Sequence, residues 1–367
     1  MMNWKYLRLF LVICFVFMLA CCKDGKSNRL PESIGQPYEV VLEGDTNHIV
    51  TAILQESVPD MPQPEPMFNI IQVRKGKLTS LYQTVRNRVV VDVDKRNRDF
   101  EVKISKDVNA APQVIIRIKA QTVEQLKSRL DGMRLRQILD ELELKHLASV
   151  TRQNVEKQKE IKRLFGLDMR IPLDMDASKK AKDFVWYSNN TNSGMKNLLI
   201  FKINSSEETP SARENHSSRE NLSAGGNHSS RENLSAGGNH SSRKALSASG
   251  NLSSKETSSG TEEYPSNGIS LSLADKVQID SVLQKNMLGE TDEMYMVIPR
   301  LGERGLWEME GDAMGGPYVM KIIRRQKNGK ISGRKNEIIV VIGFVYAPEM
   351  KKRNLIKQLE AVLTTIR

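Results

Sequence analysis

The chain is expected to fold as an α+β protein: one or two mixed, mainly antiparallel sheets packed against helices, with a long disordered repeat insertion. Three observations carry this expectation. Short runs rich in β-branched and aromatic residues recur from Tyr38 to Tyr346. Stretches with apolar residues three and four apart lie between and after them. Residues 204–268 break both patterns with a Ser-, Asn- and Gly-rich repeat.

The elements follow in order. Residues 1–20 combine a basic start (Lys5, Arg8), an apolar run from Leu9 to Leu19 and a small residue, Ala20, before Cys21. That arrangement describes a secretory signal peptide. The apolar run is shorter than the roughly 18–20 residues a spanning helix needs. Its end, Met18-Leu19-Ala20-Cys21, resembles a bacterial lipoprotein signal, although Met18 stands where Leu is usual. Cys21 is then the lipidation site and first mature residue. A polar tether over 21–33 holds the fold within about 35 Å of the membrane.

An α+β N-terminal part is expected over 34–203. The runs 38–43 and 68–73 read as strands around a helix over 46–57 capped by Asp45, making a β-α-loop-β unit. Four prolines from Pro59 to Pro66 exclude regular structure between them. A short helix over 77–85 precedes strands at 88–93, 100–105 and 113–119, the last of them central. Residues 121–165 are the longest helical stretch, expected to bend where the apolar stripe changes phase at Gly132 and to close at Gly166. Strands are expected at 167–173, 183–188 and 197–203.

The insertion repeats NHSSRENLSAGG at 215–226 and 227–238, then drifts through 239–250 and 251–260. One aliphatic residue per copy (Leu222, Leu234, Leu246, Leu252) cannot offset the entropy of ordering the chain. Copying of one unit accounts for the regular His216, His228 and His240. The C-terminal α+β part, 269–367, should hold a helix at 272–287 and a strand at 293–299. A Gly-rich acidic loop follows around Trp307. A hairpin is built from 318–325 and 337–348, and the last helix spans 349–366. Strand followed by helix closes both halves, which allows a duplication of two related lobes.

Composition excludes several chemistries. Of three Cys, Cys14 leaves with the signal peptide and Cys21 is lipidated, so Cys22 has no partner for a disulfide or a thiolate zinc site. No cofactor and no metal site is expected. The net charge of +11 suits anionic lipid or acidic glycan and is equally the ordinary excess of an envelope protein, the simpler reading; no nucleic-acid module accompanies it, so nucleic acid is not an expected partner. The basic stretch 145–163 offers a polyanion-binding face, and a solvated outer face is the simpler reading. No nucleophile elbow, P-loop or zinc-protease motif is present. His48 and His146 alone lie outside the repeats, and both read as structural.

Carboxylates Glu303, Glu308, Glu310 and Asp312 crowd one segment with Arg304 and Trp307. Two acids about 5–10 Å apart beside an aromatic platform are the geometry of glycoside hydrolysis, so an envelope hydrolase is the alternative function. The leading expectation is a membrane-tethered binding or structural module. Its candidate interaction loop comprises Arg304, Trp307, Asp312 and Tyr318. Its expected partners are the membrane, through the N-terminal lipid, and an envelope protein or glycan.

The lipobox, PQPEPMF (62–68), APQVIIRI (111–118), DFVWY (183–187), RGLWEM (304–309), MGGPY (314–318) and GFVYAPEMKKRNLIKQLEAVL (343–363) occur in this order. Together they make the chain resemble an uncharacterised lipoprotein family of Bacteroides-type bacteria known only as a domain of unknown function. The resemblance implies a lipid-anchored envelope protein at the outer membrane and a private expansion at 204–268. It brings no activity, ligand or catalytic residue with it.

Overall fold

The computed structural model describes residues 29–191, 194–204, 271–289, 291, 293–327 and 335–367. Cys21 and nearly all of the expected insertion lie outside the described residues. Strand β1 (Glu39–Glu43), helix α1 (Ile49–Leu54) and β2 (Asn69–Val73) form the expected β-α-loop-β unit, with β1 and β2 parallel neighbours. His48, at φ 55°, holds the cap position of α1, and Asp45 serves the helix from outside it, its carboxylate accepting from the first-turn Thr51 amide (2.8 Å) and from the Thr51 hydroxyl (2.7 Å).

Helix α2 (Ser80–Gln83), β3 (Asn87–Val93), β4 (Glu101–Lys106) and β5 (Val114–Ala120) complete a five-stranded mixed sheet in the order β2-β1-β3-β5-β4. β5 is interior, as its apolar run VIIRIKA implies, and Val114, Ile116, Ile118 and Ala120 are buried on its core face.

The helical stretch breaks where Gly132 predicts it. Thr122 caps α3 (Val123–Arg129) and Asp131 caps α4 (Gly132–Val150), each side chain accepting from an amide three residues on. A second break, absent from the apolar pattern, separates α4 from α5 (Val155–Phe165). Asn154 caps α5 and Gly166, in the left-handed region at φ 64°, ends it.

Residues 167–173 form no strand. Leu167, Met169 and Ile171 are buried as alternation requires, but their partners are short irregular segments. Asp168 exchanges two backbone hydrogen bonds with Arg367, and across the single Gln153–Pro172 bridge the Asn154 amide donates to the Ile171 carbonyl and the Leu173 amide to the Arg152 carbonyl. The polar strand β6 (Ala177–Ala181) lacked any apolar signal. It is an edge strand carrying Lys179 and Lys180, side chains that discourage edge-to-edge pairing.

β6, β7 (Phe184–Ser188), β8 (Met195–Asn204), β9 (Tyr295–Val297), β10 (Arg304–Glu310), β11 (Gly315–Lys327) and β12 (Lys335–Tyr346) make a seven-stranded sheet. Its order is β6-β7-β8-β12-β11-β10-β9 and every pairing is antiparallel. Helix α6 (Leu273–Asn286) lies along β8 and β9. Helix α7 (Arg353–Thr364) crosses the sheet centre, where Gly343 lacks the Cβ that would meet the Leu359 Cβ at 2.9 Å. β8 and β12 are neighbours although the insertion separates them in sequence, so the stretches on either side of it form one compact unit. The two sheets differ in pairing: one has parallel neighbours and the other has none. A duplication of related lobes is not what the chain forms.

One core lies between the five-stranded sheet and α1, α3 and α4. A second lies between the seven-stranded sheet and α5 and α7. Helices α4 and α7 pack on each other, and Ala361 of α7 belongs to the first core. The layers therefore run sheet, helices, sheet. A long-range contact fixes where α7 starts. Lys352, at its cap position, supplies no capping side chain. The buried Glu65 carboxylate accepts from the Lys352 amide at 2.6 Å and the Arg353 amide at 3.0 Å. An anion there also complements the positive end of the helix. Glu65→Ala is expected to destabilise the protein by about 2 kcal/mol, through loss of the cap and two buried amides left unpaired. Urea denaturation followed by circular dichroism measures this.

Candidate functional site

The segment carrying Arg304, Trp307, Asp312 and Tyr318 is not a flexible loop. It is the hairpin of β10 and β11, closed by a turn at 311–314. Strand alternation turns Gly305 and Trp307 inward and leaves Leu306, Glu308 and Glu310 exposed. Trp307 is only 2% exposed. Its indole N–H donates to the Val345 carbonyl at 3.1 Å, and its ring meets Phe344 and Tyr346 edge-on. Gly316 makes room for it, since a Cβ there would sit 2.1 Å from the Val345 oxygen. The glycine pair thus serves close backbone approach. Tyr318 is buried too, and its hydroxyl donates to the Arg300 carbonyl at 2.9 Å and accepts from the Gly302 amide at 2.9 Å. Burial pushes its pKa up to about 12. Two of the four residues expected at an interaction surface are therefore core residues. Asp312 is exposed in the turn, its carboxylate accepting from the Ala313 amide.

Glu303, Glu308, Glu310 and Asp312 are all exposed along one strand and its turn. Nothing places them across a cleft from one another. His48 lies on the surface beside Gln72, with Nδ1 3.0 Å from its side-chain nitrogen. His146 is half-buried, and desolvation and the charge of Arg86 lower its pKa. Of the basic residues of α5, Lys157 donates to the carbonyls of Met175, Asp176 and Ala177, while Lys159, Lys162 and Arg163 are exposed. Glu160 pairs with Lys180 and accepts from the Tyr187 hydroxyl.

Arg304 joins a different cluster, one that composition and spacing did not reveal. It lies where α4 meets α7. Lys357, 2% exposed, donates to both oxygens of Asp140 at 3.0 Å and to Glu360 at 2.7 Å. Glu360 also binds Arg304 at 3.0 Å, and Arg304 reaches Asp60 at 3.4 Å. The Tyr38 hydroxyl donates to Asp140 at 2.5 Å. One turn along α4, the fully buried Glu143 accepts from Arg86 (2.6 Å), the Asn87 side chain (2.6 Å) and the Tyr38 amide (3.0 Å). Tyr38 has φ 58°, a left-handed conformation costly for a bulky residue, and Asp140 and Glu143 hold it there from both ends. The nearest sequence signal is the i, i+3 pairing of Asp140 with Glu143 and of Lys357 with Glu360. Both pairs read as solvated helix faces until the helices are packed together.

Electrostatics make this a closed structural network. Burial acts against ionisation of Glu360, but Lys357 and Arg304 outweigh it and hold its carboxyl below the usual range. Burial likewise acts against the Lys357 charge, and Glu360 with Asp140 reverses that and raises its pKa. Desolvation lifts the Asp140 carboxyl, with Lys357 opposing. Lys357 is therefore a shared cation and has no character of a neutral nucleophile. Lys357→Met leaves Asp140 desolvated without its cation and is expected to cost about 3–5 kcal/mol. The double change Lys357→Met with Asp140→Leu is expected to recover part of that loss, as urea midpoints would show.

The pH dependence has a definite sign. The depressed folded pKa of Glu360 means its stabilisation is complete above the unfolded value and lost as pH falls through the folded one. The raised Asp140 works the other way. Glu360→Gln is expected to melt at lower temperature at neutral pH and to lose less Tm than the wild type between about pH 5 and 3. Thermal melts across that range check it.

Among the described residues no group of three or more His, Cys, Asp or Glu is arranged to hold a metal ion. An open, polar, shallow depression lined by Asp176, Ala177, Asn189 and Asn190 encloses about 330 Å³. No curated protein and no solved structure matches the chain. A domain of unknown function, DUF8532, matches residues 33–154, which are the five-stranded sheet and its helices. A second, DUF4837, matches residues 154–241 and 267–365, the seven-stranded sheet with its helices. The second match spans just over half of the residues, and by it the chain belongs to the DUF4837 family of uncharacterised domains.

Proposed function

We propose that this protein is an envelope lipoprotein of Bacteroides-type bacteria, held at the outer membrane through lipid on Cys21 and serving as a binding or structural module. The observation that carries the reading is the sequence of the first 21 residues: a basic start, a short apolar run, and Met18-Leu19-Ala20-Cys21 at its end. Three acyl chains, as that signal class carries, hold a protein firmly where one chain alone would not. No helix among the described residues is long and apolar enough to cross a membrane. A lipid on Cys21 is the means of attachment in this reading.

The non-catalytic part of the reading rests on how the charged groups are used. Among the deeply buried ones, Glu143 is paired with Arg86, and Lys357 with Asp140 and Glu360, at the helix layer. The acids of the β10–β11 hairpin are spread over a solvated strand face. An envelope protein or a glycan is the partner class that fits a body tethered this closely to a membrane. Metabolic labelling with radioactive palmitate, followed by detergent phase partition, tests the anchor. In a chain carrying Cys22→Ser, Cys21 is expected to take up label and bring the protein into the detergent phase, and the added Cys21→Ser to lose both. Label retained with both Cys replaced would sink the proposal.

A further inference from the structure

The chain enters the fold at a fixed point. Pro31, Ser33 and Ile34 are bonded into the start of the five-stranded sheet: the Ala111 amide donates to the Pro31 carbonyl (2.9 Å) and the Ser33 amide to the Ala111 carbonyl (3.2 Å). The Ile34 amide donates to Thr84 (3.1 Å), and its carbonyl accepts from Arg86 (2.9 Å). This is the end at which β3 and β5 begin. The side chain of Gln113 ties the same end together, donating to the carbonyls of Gln83 (2.7 Å) and Val85 (2.8 Å).

Four aliphatic side chains stand exposed around this entry point. Leu30 and Ile34 belong to the entering segment, Leu81 to α2, and Val108 to the turn after β4; Leu81 is 62% exposed. Single exposed aliphatics need no explanation, but four on segments hydrogen-bonded to one another form a group. Arg29 and Lys106 are exposed in the same segments, as are Glu32 and Asp107, and Tyr82 is half-buried in α2. Aliphatic tips with a Tyr among charged residues of both signs suit the boundary between headgroups and acyl chains.

We propose that this end of the five-stranded sheet lies against the lipid surface, so that Leu30, Ile34, Leu81 and Val108 dip into the headgroup boundary. The inference rests on the proposed anchoring through Cys21. From Cys21 to Arg29 there are eight peptide steps, a reach of at most about 28 Å. The lipid therefore brings this end, before any other, to the bilayer. A patch too small to bind a membrane by itself becomes effective because the tether makes the encounter intramolecular. The far end of β3, where Lys95 is exposed, is held about 23 Å further out by the seven-residue strand.

The test uses the full lipidated chain carrying Cys22→Ser, with a single environment-sensitive fluorophore placed at Leu81→Cys, Val108→Cys or Lys95→Cys. Each protein is reconstituted on vesicles of phosphatidylethanolamine and phosphatidylglycerol. The expected result is blue-shifted emission and loss of quenching by aqueous iodide at positions 81 and 108, with position 95 unchanged from the detergent-free aqueous spectrum. These positions are exposed, so labelling leaves the core intact, and circular dichroism verifies it. Vesicle-bound protein in which all three positions quench equally overturns the proposed orientation while leaving the anchor standing. Protection that appears only in native envelope membranes, and not on pure lipid, assigns the face to a protein partner and overturns the lipid assignment. Failure of the wild-type chain to associate with vesicles, with Cys21→Ser behaving identically, overturns the anchoring reading and this inference with it.

Discussion

The junction of α4 and α7 depends on a single buried cation. Lys357 neutralises Asp140 from the first half and Glu360 from its own helix, and Arg304 closes the chain of charges from β10. Placing these groups between two apolar cores carries a large desolvation cost, recovered only because each charge has its partners within hydrogen-bond reach. Such a network is weak evidence for high stability. It is strong evidence for a defined geometry, because shifting α7 by one turn along α4 would leave unpaired charges in the interior. The Glu65 cap adds a second constraint, setting where α7 begins.

This geometry joins two sheets with different rules of assembly. The five-stranded sheet has parallel neighbours, and the chain returns through α1 between β1 and β2 and through the antiparallel edge strand β4 between β3 and β5. The seven-stranded sheet is antiparallel throughout and is assembled from segments on both sides of the insertion. The two family matches meet at residue 154, the Asn that caps α5 at the break between α4 and α5. The seam between the matched families is thus the seam between the two sheets. α4 and α7 are the helices that bring them together.

The same packing explains why the charged and aromatic residues that stand out in the sequence are poor guides to a site. Trp307 and Tyr318 are flanked by Gly and acids, which suggests an exposed anchor. Strand alternation instead sends Trp307 into the core and leaves the acids outside. Gly316 has the role of letting the Val345 backbone approach the indole. The exposed aliphatic side chains near Pro31 have no local signature. They come from positions 30, 34, 81 and 108, and backbone hydrogen bonds of long sequence separation collect them.

By itself the amino-acid sequence determined the α+β class and most of the strands and helices. It also determined the Gly132 break and the Gly166 stop, because alternation, periodicity and capping are local properties of the chain. It also holds the basic start and short apolar run on which the proposed anchoring rests. It missed β6 and the break at 151–154, and it took 167–173 for a strand, because those features depend on partners elsewhere rather than on local propensity. Only the tertiary structure decided that Lys357, Asp140 and Glu143 are interior, that Tyr38 is held in a left-handed conformation, and that Glu65 caps a helix near the C-terminus. Burial of a charge is a property of two surfaces meeting, and neither surface alone encodes it.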